Sequence, residues 1–348
     1  LTAGKEIIWV IPFSNSRGRW NYTFAIRNNG QTDWSPTTSN RGGQAGPVPY
    51  LYYMYEEGDT RRDISCVNYE WENRGDGTLP YPAGIENWYF GKYRFEWMTT
   101  APYGGGNDDG VKPVYMRYAD ILLMAAEIAN SSGDHDELVS VREQDYAVTQ
   151  LRKILLRAFD NNTSKVDEYI QEANLTNEDN IFKEIKKQRA LEFVGEFLRK
   201  ADLIRWNTLE SDMIAAAKEL DLLRKRQISQ MNPNVDYNTL NPYLWYRHTM
   251  VDGIPAIEMY GIHLGDTESN ETQPPAGSNW QPYTDSEGET SVYIDEESFK
   301  STEGNSISDK ASTEGFYDAN PNLKQYWPIP QTSITNSQGA LKNDYGYN

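Results

Sequence analysis

The chain has 348 residues, 38% of them hydrophobic and 24% charged, and a net charge of −18. That length suits two domains of about 100–200 residues or one large one, and the composition suits a packed core. The negative field repels phosphate backbones and argues against nucleic acid as a partner. Cys66 is alone, which excludes an internal disulfide or a Cys-based zinc site. No run of about 18 apolar residues marks a membrane span. The start, LTAGKEIIWVIPF, lacks the basic region, long apolar core and small-residue cleavage site of a secretory signal.

Residues 1–110 read as irregular. KEIIWVIPF is short, β-branched and aromatic and predicts a strand stopped by Pro12; WNYTFAIRN predicts a second. GQTDWSPTTSNRGGQAGPVPY is rich in Gly, Pro, Ser and Thr and predicts loop. YPAGIENWYFGKYRFEW adds aromatics between turn residues, and YGGGNDDG closes the region as a flexible turn.

Helix formers then dominate. YMRYADILLMAAEIAN predicts a helix over 115–130, ended by SSGD. A second helix is expected over 142–160, with Leu151, Ile154, Leu155 and Ala158 at the spacing of a buried face, and the pair makes an antiparallel hairpin. A third is expected over 177–207, with Thr176 and Asp179 as a capping box in which Asp replaces Glu. A fourth runs over 211–229. Residues 231–348 return to loop: ETQPPAGSNWQPYTDSEGET and STEGNSISDKASTEG are polar and read as surface insertions. Near the end, Pro328 and Pro330 bracket Ile329 and force an extended segment.

Within the third helix, RALEFVGEFLRKADLIRW places Arg189, Glu192, Glu196 and Arg199 on one stripe with signs +, −, −, +. Glu192 and Glu196 could be a general acid/base pair. However, both point the same way, and flanking arginines lower a carboxylate's pKa, which hinders a general acid. An ion-pair network joining helices fits better, and Arg117, three residues before Asp120, could reach a carboxylate of this helix. Gly195 mid-helix suggests that another backbone approaches closely.

Four segments in order resemble the C-terminal half of the SusD/RagB family. They are PVYMRYADILLMAAEIAN (113–130), LRKILLRA (151–158), IKKQRALEFVGEFLRKADLIRW (185–206) and QYWPIPQTSITNSQGALKNDYGY (325–347). EEGDTRRDIS (56–65) resembles the family's Asp-x-Arg element, and KEIIWVIPF its strand after the early helical repeats. Two departures are Phe197-Leu198-Arg199-Lys200, where the family often has His-Arg and an aromatic, and LKNDYGY, where it often has Asn-Pro-Gly-Tyr. The resemblance implies a mostly α-helical fold, with a tetratricopeptide-like scaffold, large loop-rich regions and a few short strands in one domain. It further implies a surface-exposed outer-membrane lipoprotein that captures glycans and covers a SusC-like TonB-dependent transporter, with no enzymatic activity and no cofactor. The family's lipoprotein signal, lipidated cysteine and first helix pairs are not in this sequence. It is therefore expected to be part of a longer protein whose lipid anchor would supply the membrane association.

Glycan binding needs aromatic faces for sugar C–H groups and polar side chains for hydroxyls. Trp20, Tyr22, Trp34, Asn40, Arg41, Trp71, Trp88 and Tyr89 are the candidate ligand-binding residues, with Trp245 and Trp280 in later loops. Each could instead pack its loop onto the scaffold. His135, His248 and His263 fit no metal-ligand spacing. GNDDG (106–110) and DTESNE (266–271) could offer oxygens to Ca²⁺, but neither has the full loop, and solvated acidic turns are expected. No P-loop, Gly-x-Ser-x-Gly or His-Glu-x-x-His occurs, and Asn174-Leu175-Thr176 reads as a chance glycosylation motif. Rival readings are capture of peptides or glycopeptides, a glycoside hydrolase with carboxylates facing across a cleft, and a scaffold that mainly docks the transporter.

Overall fold

The computed structural model describes residues 5–14, 17–29, 41–75, 77–98, 109–131, 137–284, 288–299, 321–326 and 328–343, with the backbone alone at 137–145 and 323–324. The chain divides into two compact units. One comprises residues 1–197, 246–259 and 278–281; the other comprises 198–245, 260–277 and 282–348.

The first unit begins with β1 (Ile7–Val10), as its β-branched run predicts. The expected second strand is instead a short helix, α1 (Trp20–Phe24). The Asp109 carboxylate accepts the Tyr22 N–H at 3.1 Å, which favours the helical turn over a ladder. Next come the one-turn helices α2 (Tyr50–Tyr53) and α3 (Arg62–Ser65). β2 (Cys66–Val67) pairs with β5 (Tyr89–Phe90), and β3 (Tyr69–Asn73) with β4 (Thr78–Pro82), both antiparallel. Ile26, Val67, Trp71, Ala83 and Tyr89 close over one another as the core of this loop-rich part.

The helix expected from 115 starts later. Val114–Arg117 is a strand, β6, antiparallel to β1 with Trp9 opposite Met116. Val114, Met116 and Arg117 pair with β1, so α4 begins at Tyr118 and runs to Ser131. α5 (Glu137–Ala158) packs against α4 as the expected hairpin, and both pack against α7 (Glu178–Glu192). Leu123, Leu151, Leu155, Ile181 and Ile185 are fully enclosed between them. Burial of this kind stabilises by about 1.5–3 kcal/mol per large aliphatic side chain. α6 (Thr163–Glu172), not expected from the sequence, covers Leu155 and Ala158 with Val166 and Tyr169. The N-cap of α7 is Asn177, whose side chain accepts the Asn180 N–H at 2.9 Å; Thr176 and Asp179 form no capping box.

The expected 177–207 helix is broken. α7 stops at Glu192, and α8 (Arg199–Arg205) follows a turn in which Gly195 (φ 77°) and Phe197 (φ 60°) are left-handed. Gly195 is therefore not mid-helix. Its close neighbour is a side chain rather than another backbone: a Cβ at Gly195 would lie 3.2 Å from the Phe90 Cβ. In the second unit, α8 packs against α9 (Leu209–Arg224). Glu219 on α9 is fully buried and accepts from the Tyr237 hydroxyl at 2.7 Å and the Gln230 N–H at 3.1 Å, tying down the 227–237 loop. The region expected to be loop after 231 contains a hairpin, β7 (Trp245–Val251) and β8 (Ile254–Tyr260), around Asp252-Gly253, and its residues 246–259 belong to the first unit. The short β9 (Gln281–Pro282) joins the same sheet, and α10 (Gln331–Asn336) follows the extended Pro328–Pro330 segment.

Candidate functional site

The two carboxylates of the family stretch are not poised for acid/base work. Arg117, from β6, reaches Glu192 Oε1 at 2.5 Å, Glu196 Oε2 at 2.8 Å and Glu6 Oε1 at 2.7 Å. Arg61 bonds Glu192 at 3.0 Å and also grips Asp59 at 2.6 Å, so the Asp59-Thr60-Arg61 element docks α3 onto the end of α7. Arg157 pairs with Glu192, and Lys92 Nζ donates to Glu196 Oε1 at 2.6 Å. Burial alone would raise the Glu192 carboxyl. The charges of Arg117, Arg61, Arg157 and Lys92 outweigh it and pull the group down to about 2. Arg189 and Asp120 form their own buried pair at 2.7 Å. The stripe thus pairs across elements rather than along one helix, and it holds Glu192 ionised.

A different candidate surface is built on α1. The Asp109 carboxylate takes the Tyr22 N–H at 3.1 Å and the Val111 N–H at 3.0 Å. Burial raises this carboxyl above its usual range, and the N–H groups of Val111, Tyr22, Asn21 and Trp20 offset only part of that rise. The other end of α1 is closed by the backbone of 42–44. Gly42 N–H donates to Tyr22 O at 2.7 Å, Gln44 to Thr23 O at 3.0 Å and Gly43 to Ala25 O at 2.8 Å. Gly42 has φ 73°, and a Cβ there would lie 2.6 Å from the Ala25 carbonyl oxygen, so only glycine fits.

Held this way, α1 presents Trp20 and Phe24, both half-buried, to Phe197, which is 46% exposed. Phe197 meets Trp20 edge-to-face at 5.3 Å between centroids and Phe24 at 4.5 Å; Phe90 adds a contact at 5.6 Å. Tyr93 stands behind Trp20 at 5.7 Å. A bulky residue at positive φ costs on the order of 1–3 kcal/mol, and here the cost orients one exposed ring onto three others. The result is a rigid apolar surface that holds no reactive group among its rings. Its chemistry is stacking against flat, weakly polar C–H faces.

Of the residues the sequence singled out, Trp20 is part of this surface and Tyr22 is half-buried on the same helix. Arg41, Trp71, Trp88 and Tyr89 are buried rather than part of it, with exposures of 2%, 2%, 4% and 3%. Trp71 and Tyr89 belong to the core cluster with Ile26 and Val67, and Trp88 stacks on Tyr52 at 4.8 Å with its indole N–H on Ile85 O at 2.8 Å. Their apolar area is taken up by the protein itself. Trp34 and Asn40 lie outside the described residues, as do His135 and residues 106–108. Trp245 is a buried β-strand residue donating to Asn270 O at 2.9 Å, and Trp280 lies under the Arg247 guanidinium at 4.5 Å. The imidazole of His248 sits 2.9 Å from Pro80 O. Phe24, Phe90 and Phe197 were not singled out. The available signal was Gly195, which an uninterrupted helix does not explain.

Of the two acidic turns, 266–271 is largely solvated, with Glu268 and Glu271 exposed and Asp266 half-buried, whereas Asp109 of the other is not. Asp109 is buried at α1, and Asp266 accepts the N–H groups of Gly261 at 2.9 Å and His263 at 3.2 Å. Among the described residues, no group of three or more His, Cys, Asp or Glu is arranged to hold a metal ion. No helix among them is long and apolar enough to cross a membrane.

The architecture and this surface define a mostly α-helical scaffold that carries loop-rich, aromatic segments and a few two- and three-stranded ribbons. The chain belongs to the SusD family, whose model matches residues 5–347. Among solved structures it is similar to a SusD homolog from Bacteroides thetaiotaomicron VPI-5482, with 23% identity and TM-score 0.45, covering 62% of this chain and 44% of that one. It is also similar to surface glycan-binding protein A from Bacteroides thetaiotaomicron, with 17% identity and TM-score 0.44, covering 98% and 52%. A structure of that name and organism in complex with laminarihexaose aligns at 20% identity and TM-score 0.39, covering 59% and 44%. The chain thus spans about half the length of these structures. No curated protein matches it.

Proposed function

We propose that this chain is part of a cell-surface glycan-binding lipoprotein that captures oligosaccharide and hands it to a TonB-dependent transporter of the outer membrane. Membership of the SusD family supports the class of protein. The observation that carries the binding role is the exposed Phe197 ring, held at positive φ against Trp20 and Phe24. Such a surface suits capture by many weak contacts, and no reactive group is needed for it.

Isothermal titration against a panel of polysaccharides tests the reading. At least one glycan should bind, and Trp20→Ala and Phe197→Ala should each weaken it by about tenfold, the loss of roughly one aromatic contact. Melting temperatures measured in parallel separate lost contact from lost fold. Absence of binding to every glycan sinks the proposal. Release of reducing ends by the purified protein would show an enzyme instead, and co-purification with a β-barrel partner tests the hand-over.

A further inference from the structure

Trp97 is 51% exposed and lies outside the α1 surface. It ends a 3-10 turn, Phe95–Trp97, whose first residue is anchored in the core at 2% exposure. The Arg94 guanidinium lies 4.5 Å from the Trp97 ring centroid and backs one face of the indole. That guanidinium is itself immobilised: Nε donates to Gly91 O at 2.8 Å, NH1 to the Tyr69 hydroxyl at 3.0 Å and NH2 to Asp63 O at 3.2 Å. A large indole is therefore held out to solvent on a fixed support, which reduces the ordering cost of binding against it.

The turn also touches α1. Met98, the next residue, accepts a 3.4 Å contact at Sδ from Asn21 Nδ2, and Asn21 is 1% exposed.

Resting on the carbohydrate reading above, we propose that Trp97 is a second stacking platform, and that the ligand is an oligosaccharide long enough to engage it together with the Trp20–Phe24–Phe197 surface. A mono- or disaccharide occupies one platform only; a longer chain gains the second contact without the full cost of a separate binding event.

The test is titration of the protein with malto-, cello- and laminari-oligosaccharide series from disaccharide to hexasaccharide, using wild type, Trp97→Ala and Trp97→Phe. Wild-type affinity should rise with chain length. Trp97→Ala should remove that rise, with about a tenfold loss for the hexasaccharide and no change for the disaccharide, and Trp97→Phe should restore most of it. Trp97 is exposed, so its replacement leaves the fold intact, which circular dichroism confirms. If Trp97→Ala binds every length as the wild type does, the second platform is overturned and the glycan-binding reading stands. If the wild type binds none of the series nor any glycan of the wider panel, both fall together.

Discussion

Glu192 is buried among three guanidiniums and one ammonium, and its carboxyl is held near 2. Burial opposes the charged form, so the cations supply all of the downward shift. The folded value lies below the roughly 4.3 of an unfolded glutamate. The stabilisation is therefore fully present above about pH 4.5 and is lost as pH falls toward 2, at most about 3 kcal/mol for this group. Urea titrations at stepped pH should show this fall. Glu192→Gln should cost on the order of 3–5 kcal/mol at neutral pH, because it leaves Arg61, Arg117 and Arg157 around a neutral group. The same substitution should cost less near pH 2.5, where the wild-type carboxyl begins to lose its own charge; an equal cost at both pH values would contradict the ion-pair account. The sequence displayed the charges of this cluster but not their partners. Arg61 lies 131 positions from Glu192, and Arg117 lies 79 from Glu196. Which arginine meets which carboxylate is set by how α3, β6 and α7 converge, and that information is not local.

Helix α1 is five residues long, far too short to be stable alone. It exists because Asp109, 87 positions from Tyr22, accepts at its start and the 42–44 backbone closes its end. Asp109→Ala should destabilise this segment by about 0.5–2 kcal/mol, the usual worth of a cap. Hydrogen exchange of the Tyr22 amide should speed up accordingly, while amides of α7 stay protected. The turn after α7 is the second support of the surface. Gly195→Ala places a Cβ at positive φ and 3.2 Å from Phe90, so it should cost about 1 kcal/mol or more and shift Phe197. Glycan affinity should fall with it, and unchanged affinity would show that the Phe197 ring does not contribute. Long amphipathic elements such as α5 and α7 were legible because a period of 3.6 residues is written in the local sequence. WNYTFAIRN predicts a strand from its β-rich composition, whereas the cap that makes α1 a helix is remote in sequence. The exposure of Phe197 follows from a helix break that propensity alone does not reveal.

At the scale of the whole chain, the charge of −18 contrasts with a proposed site made of rings. A neutral glycan meeting Trp20, Phe24, Phe197 and Trp97 exchanges little charge–charge energy with that field. Its affinity should change by less than about twofold between roughly 20 mM and 500 mM salt, because screening acts on charges and not on stacking. Peptides or glycopeptides are the rival ligand class; a cationic peptide would be drawn in by the net charge of −18 and should lose tenfold or more over the same range. Titrating the best-binding glycan and a cationic peptide at both salt concentrations therefore separates the two ligand classes with one protein. A steep loss of glycan affinity with salt would show that charges rather than the aromatic rings carry the binding, whatever the stacking variants show.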